Sequence, residues 1–273
     1  MSGVTVDGLR YEVRVRGHGV PVLLLHGFTG RGSGWAPHAT ALARHFRVIV
    51  VDLPGHGRSG TPTDPTRASV ERTADDLAAV LRRIGELPAH VVGYSLGARI
   101  AMRLAVARPE SVRRLVLESP SPGLATEAER RARRADDEAL ASRLERDGIE
   151  AFVDEWECRP LFASFAGMPA SRLKRLHAAR LRNDPAGLAV SLRGAGQGSM
   201  EPVRNRLSSV QAPTMVIAGG LDPTGGERAQ TVAEAIPGAR LRTVPDAGHA
   251  PHLEAPSIFR SIVLGFLQED PAA

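Results

Sequence analysis

Short continuous apolar runs, each closed by glycine, proline or aspartate and separated by stretches of helical period, organise this chain. PVLLL at 21–25, RVIVV at 47–51, AHVV at 89–92, RLVLE at 114–118, PTMVIA at 213–218 and ARLRTV at 239–244 predict strands. Most are apolar almost throughout, as expected of strands buried on both faces. That is the signature of a mostly parallel sheet whose crossover helices cover it on either side, an α/β fold. Helical periodicity over 34–44, 70–84, 96–107, 226–235 and about 255–268 supplies the covers. Ahead of them Val4, Val6, Tyr11, Val13 and Val15 alternate loosely around Asp7-Gly8, which predicts a short antiparallel hairpin.

The alternation stops after the sixth strand. Residues 121–205 contain no strand pattern, only helical segments rich in Arg, Ala and Leu. Thr126 with Glu129 forms a capping box that starts one running to about Arg146, and others are predicted over 149–157, 171–182 and 186–194. A helical insertion between two strands, above the carboxyl edge of the sheet, is expected to act as a lid. The core is then 1–120 with 206–273, and the lid (cap) is 121–205.

Composition narrows the picture. Residues of apolar type make up 42% of 273, enough for a sizeable core, and with aromatics at 4% that core must be mostly aliphatic. The net charge of +5 invites a nucleic-acid reading. The basic residues, all Arg except Lys174, are however scattered and mixed with acids, which describes a solvated surface with a few site arginines. No nucleic-acid partner is expected. Cys158 is the single cysteine, so neither an intrachain disulfide nor a cysteine metal site is expected; it and Trp35 read as packing residues. No run approaches the ~18 apolar residues of a membrane span, and the first residues show no basic segment leading into an apolar one, so a soluble cytoplasmic protein is the expectation.

The chemistry gathers at the carboxyl ends of the predicted strands, where ligands bind in such sheets. Gly93-Tyr94-Ser95-Leu96-Gly97 follows one strand and opens a helix, so Ser95 sits on a strand-turn-helix with its hydroxyl exposed. A serine hydroxyl needs a base, and the base needs an acid to fix its tautomer. Asp222, in Gly219-x-x-Asp222 after a strand, and His249, preceded by Gly248, stand at the same edge. His252 and Asp246 are the nearest rivals for those roles. His90 precedes a strand, His38 and His45 flank a surface helix, and His177 lies in a lid helix. Charge developing on a substrate oxygen needs backbone donors, for which the amides of Phe28, after His26-Gly27, and of Leu96 are placed. His26 reads as buried and structural, and the glycines of Asp52–Ser59 as serving their turn alone.

These motifs resemble a known family. HGFTG at 26–30, DLPGHGRS at 52–59, GYSLG at 93–97, Asp222 and GHAPHLEAP at 248–256 are similar to the α/β-hydrolase fold over nearly the whole chain. The fold hosts esterases, C–C hydrolases, epoxide hydrolases, dehalogenases and lyases, so it does not by itself settle function. GYSLGARIAM at 93–102, ESPSPGL and ERRARRADD within 118–137, Trp156-x-x-x-Pro-Leu-Phe162 and the segment from Arg180 to Gly194 carry a finer resemblance. They resemble the 2-succinyl-6-hydroxy-2,4-cyclohexadiene-1-carboxylate synthases of menaquinone biosynthesis, lyases that eliminate pyruvate from an enolpyruvyl cyclohexene. The resemblance implies Ser95, Asp222 and His249 as catalytic and Arg99, Arg133, Arg180, Tyr94 and Trp156 as substrate-binding. It implies a small polycarboxylate substrate and neither metal nor organic cofactor.

Arginine suits such a ligand, since guanidinium stays charged and meets carboxylate bidentately. Arg99 lies four residues after Ser95, one helical turn on. Arg133 can instead pair with Asp137 on an exposed helix, and Arg130 or Arg134 can take its place at the site. The rival function is a serine esterase or C–C bond hydrolase using the same three residues. A noncatalytic ligand-binding member is the other alternative, and the oligomeric state is open.

Overall fold

A computed structural model describes residues 2–269 of the chain. Eight strands form one sheet in the order β1-β2-β4-β3-β5-β6-β7-β8. They are β1 (Ser2–Val6), β2 (Leu9–Arg16), β3 (Pro21–Leu25), β4 (Arg47–Val51), β5 (Ala89–Tyr94), β6 (Val112–Glu118), β7 (Thr214–Gly219) and β8 (Arg240–Val244). β1 and β2 form the antiparallel hairpin, turning at Asp7 (φ 43°) and Gly8 (φ 78°), and β2 joins β4 antiparallel. From β4 to β8 every pairing is parallel.

The helices are α1 (Ala36–Leu42), α2 (Val70–Arg83), α3 (Leu96–Ala107), α4 (Glu127–Glu157), α5 (Ala170–Arg180), α6 (Pro185–Ala195), α7 (Pro223–Ala235), α8 (Pro251–Glu254) and α9 (Pro256–Leu267). Side chains alternate across the sheet, so Leu23 and Leu25 join Leu77, Leu81, Ile100 and Val232 on one face. Val22 and Leu24 join Leu42, Phe259, Val263 and Phe266 on the other. Each such buried side chain contributes about 1.5–3 kcal/mol. His38, expected at the surface, is buried here: its Nε2 bonds the His252 carbonyl at 3.0 Å. Trp35 packs as expected, with 2% of its surface exposed, whereas Cys158 is exposed.

Between β6 and β7 the chain is helical. The Thr126–Glu129 capping box starts α4 with both reciprocal bonds made. The break expected near residue 147 is Gly148, whose φ of 85° interrupts α4 without ending it. Leu140, Leu144, Phe152 and Val153 of α4 pack on Leu188 and Leu192 of α6, and this cluster rests on Phe28 and Trp156. One feature of Asp52–Ser59 goes beyond its turn: Gly55 (φ 73°) meets the backbone of Gly187, so a side chain on either would push α6 off the core. Among the described residues no helix is long and apolar enough to cross a membrane.

Burial sets a pH dependence. Burial first pulls His38 and His56 down to about 3 and His90 to about 4, from 6.5. Below pH 6.5 the unfolded chain therefore binds protons that the folded chain refuses, so stability is full above that pH and falls as pH drops toward 4. Urea unfolding at about pH 5.5 should show a loss on the order of 3 kcal/mol relative to about pH 7.5. A flat profile would contradict these burials.

Candidate active site

The turn from β5 to α3 forces Ser95 to φ 50°, ψ −105°, a strained conformation for a residue with a side chain. Its neighbours make the turn sterically feasible. A Cβ on Gly93 would run into the Gly97 carbonyl, and one on Gly97 into the Leu25 carbonyl. The turn is fixed by the Ser95 amide, which donates to the Glu118 carbonyl at 2.9 Å.

Ser95, His249 and Asp222 stand in succession. His249 Nε2 lies 3.2 Å from Ser95 Oγ, and His249 Nδ1 lies 2.8 Å from Asp222 Oδ2. The second Asp222 oxygen accepts the Gly225 amide at 2.9 Å, which also caps α7. Burial pushes the Asp222 carboxyl up, but the bonds from His249 and Gly225 together outweigh it and hold it below its ordinary range. An ionised carboxylate only accepts, so Nδ1 carries the proton and Nε2 is free to take one from Ser95.

The backbone around His249 is tethered by side chains. Glu254 accepts the Gly248 amide (2.9 Å) and the Ala250 amide (3.0 Å), and Ser119 Oγ donates to the His249 carbonyl (2.8 Å). The rivals lie elsewhere. His252 is turned to Glu118 (2.9 Å) and packed on Trp35, and Asp246 is exposed. His26 accepts the Leu53 amide at Nε2 (3.0 Å) and meets the Gly27 carbonyl through Nδ1 (2.8 Å), so both ring nitrogens are occupied.

A cavity of about 660 Å³ opens over Ser95 and His249 and includes Phe28, Tyr94 and Leu96 in its wall. Among the described residues, the amides of Phe28 and Leu96 have no acceptor in the protein. Leu96 is the first residue of α3, where the helix leaves amides unpaired and its dipole favours negative charge. Trp156 lines the same cavity, stacked on Phe152 and edge-on to Phe28, with its indole N–H buried and without a partner among the described residues.

Arg99 lines the cavity as a buried cation, 8% exposed. Its Nη1 donates to the Ala195 carbonyl at 2.6 Å, and no carboxylate bridges it among the described residues. Burial, then the charge of Arg133, pull it down to about 10. Arg133 also lines the cavity, and its Nε donates to Asp137 at 2.8 Å, so the helix pair foreseen for it and a place in the cavity wall coexist. Burial raises the Asp137 carboxyl despite both arginines.

Arg180 does not join them. It donates to Glu157 at 2.8 Å, lies over the rings of Phe162 and Phe165, and lines a separate pocket of about 380 Å³. Glu157 is 23 positions away, which no helical spacing announces. Arg130 and Arg134 are bound to Glu127 outside the cavity wall. Sequence reasoning missed Arg143, Arg159 and Arg228, which do line it.

Similarity to known proteins follows the same outline. The family described as alpha/beta hydrolase fold matches residues 20–256. A Bacillus subtilis (strain 168) protein provisionally named 2-succinyl-6-hydroxy-2,4-cyclohexadiene-1-carboxylate synthase is 39% identical over 263 residues, 96% of each chain. A Klebsiella pneumoniae protein of that name is 32% identical, covering 86% of this chain and 89% of its own. The structure of MenH from S. aureus matches with a TM-score of 0.90 at 31% identity, over 94% of this chain and 97% of that one.

Proposed function

The chain belongs to the α/β-hydrolase family, among the 2-succinyl-6-hydroxy-2,4-cyclohexadiene-1-carboxylate synthases, and on that premise we propose that it eliminates pyruvate from 2-succinyl-5-enolpyruvyl-6-hydroxy-3-cyclohexene-1-carboxylate. The observation that carries the reading is Arg99: a buried guanidinium with no carboxylate partner among the described residues, in the same cavity as Ser95 and His249. Burying an unpaired cation is costly, and an anionic ligand removes the cost. The substrate brings three carboxylates by its name, and the cavity wall is rich in arginine.

In this mechanism His249, held through Nδ1 by Asp222, takes the Ser95 hydroxyl proton at Nε2. Ser95 removes the proton from the ring carbon that bears the succinyl group. The C–H electron pair becomes the enolate of the succinyl ketone, whose oxygen meets the Phe28 and Leu96 amides. As the ketone re-forms, the pair shifts through the ring double bond and breaks the bond from ring carbon to enolpyruvyl oxygen. The proton on His249 passes to the departing enolpyruvate, which ketonises to pyruvate. No bond forms between enzyme and substrate, in contrast to acyl transfer by an esterase. The ring of Tyr94 and the indole of Trp156 shape the wall, and residues 121–205 act as the lid that keeps water from the enolate.

The test is pyruvate release from the enolpyruvyl substrate, followed by coupled oxidation of NADH, beside hydrolysis of a simple aryl ester. Saturable pyruvate release is expected. Background-level pyruvate with brisk ester cleavage would overturn the reading in favour of a serine hydrolase.

A further inference from the structure

Five arginines line the cavity over Ser95: Arg99, Arg133, Arg143, Arg159 and Arg228. Three are already paired, Arg133 with Asp137 at 2.8 Å and Arg143 and Arg159 with one shared carboxylate, Glu155, at 3.2 and 3.1 Å. Arg99 is anchored through the Ala195 carbonyl. Arg228 is different. Among the described residues its guanidinium has neither an ion pair nor a hydrogen bond, although the side chain is only partly exposed and belongs to the cavity wall.

Its placement follows from the acid of the site. Asp222 caps α7 through the Gly225 amide, and Gly225 and Arg228, three positions apart on one helical face, both line the cavity. The charge of Arg228 helps keep Asp222 ionised, but the Asp222 oxygens are taken by His249 and Gly225. Arg228 is thus free to meet a ligand. It approaches from the end of β7, whereas Arg99 approaches from the end of β5, so the two cations without an ion pair among the described residues flank the strand between them and the triad.

We propose that Arg228 binds one carboxylate of the substrate and so fixes which end of a polycarboxylate faces the β7 side of the site. This rests on the lyase reading above and adds to it a binding residue and an orientation. A planar guanidinium with all its donors free gives a bidentate contact that lysine cannot reproduce.

The experiment compares the unaltered enzyme, Arg228→Gln and Arg228→Lys on the enolpyruvyl substrate and on its three monomethyl esters, one carboxylate masked in each. Arg228→Gln should raise KM about tenfold or more with kcat within about twofold, and Arg228→Lys should recover part of the loss. Masking the contacted carboxylate should erase the difference between unaltered enzyme and Arg228→Gln, while masking either of the others should leave it. An unchanged KM in Arg228→Gln, or an equal penalty on all three esters, would overturn the proposal, the latter because it reports only a diffuse field. Absence of pyruvate release by the unaltered enzyme would instead remove the lyase reading, so the two failures are separable.

Discussion

Ser95→Ala should lower kcat for pyruvate release about 1,000- to 10,000-fold while leaving KM within a few fold. The size of the effect identifies the base. If His249 removed the carbon-bound proton directly, Ser95 would only help to position it, and its loss would cost on the order of tenfold. If Ser95 is the proton-abstracting atom, Ser95→Ala should be as damaging as His249→Ala, and the double variant no worse than either, since the two residues act as one unit. The geometry favours the second course. His249 Nε2 is already aimed at Ser95 Oγ at 3.2 Å, and the strained backbone at Ser95 holds that hydroxyl at the cavity rather than in the turn. Single-turnover measurements complete the comparison. An acyl-enzyme would appear as a burst, and none is expected here; a burst that disappears in Ser95→Ala would turn the site into a hydrolase.

Much of this site was legible in the sequence because it depends on local rules. Strand, sharp turn and helix around Ser95 are written in AHVVGYSLG, the loop bearing Asp222 follows the apolar strand β7, and the loop bearing His249 follows β8, whose alternating RLRTV still reads as a strand. The parallel sheet was legible for the same reason, since strands buried on both faces are apolar throughout. The relatives agree with the resemblance that the motifs carried. The final helix, expected over about 255–268, is α9, which Pro256 starts, whereas the short α8 ahead of it was not foreseen.

What escaped depends on which way a polar side chain faces. The amphipathic pattern of α4 is weak, so an arginine turned to the cavity, such as Arg143, reads like one turned to solvent. Hydrophobic periodicity locates a core face, not a polar ligand face. Arg180 shows the converse. Resemblance assigns it to substrate, but packing against Phe162 and pairing with Glu157 hold it in the neighbouring pocket. His38 was misjudged because its burial comes from α8 and α9, more than 200 residues on, where the His252 carbonyl accepts the bond from its ring. The 3-10 segment Pro160–Gly167, which brings Phe162 to the site, follows neither helical nor strand period.

Arg99→Met should separate stability from function in opposite directions. Arg99 sits 8% exposed without a carboxylate partner among the described residues, so the folded chain carries the cost of a desolvated cation at the cavity. Methionine fills a similar apolar volume without that cost. Losing the bond to the Ala195 carbonyl takes back about 1 kcal/mol, and the net is expected to be a gain on the order of 1 kcal/mol, seen as a Tm rise of about 2–3 °C. Function should move the other way. Removing a charge-assisted carboxylate contact inside a low-dielectric cavity should lower kcat/KM about 100- to 1,000-fold. Arg99→Lys keeps the charge but not the planar fork, and should fall between. A stabilised, inactive Arg99→Met enzyme would mean that the buried cation is kept for the ligand. A destabilised enzyme with its activity intact would mean that Arg99 is chiefly a tether between α3 and the end of α6, and the polycarboxylate argument would lose its strongest support.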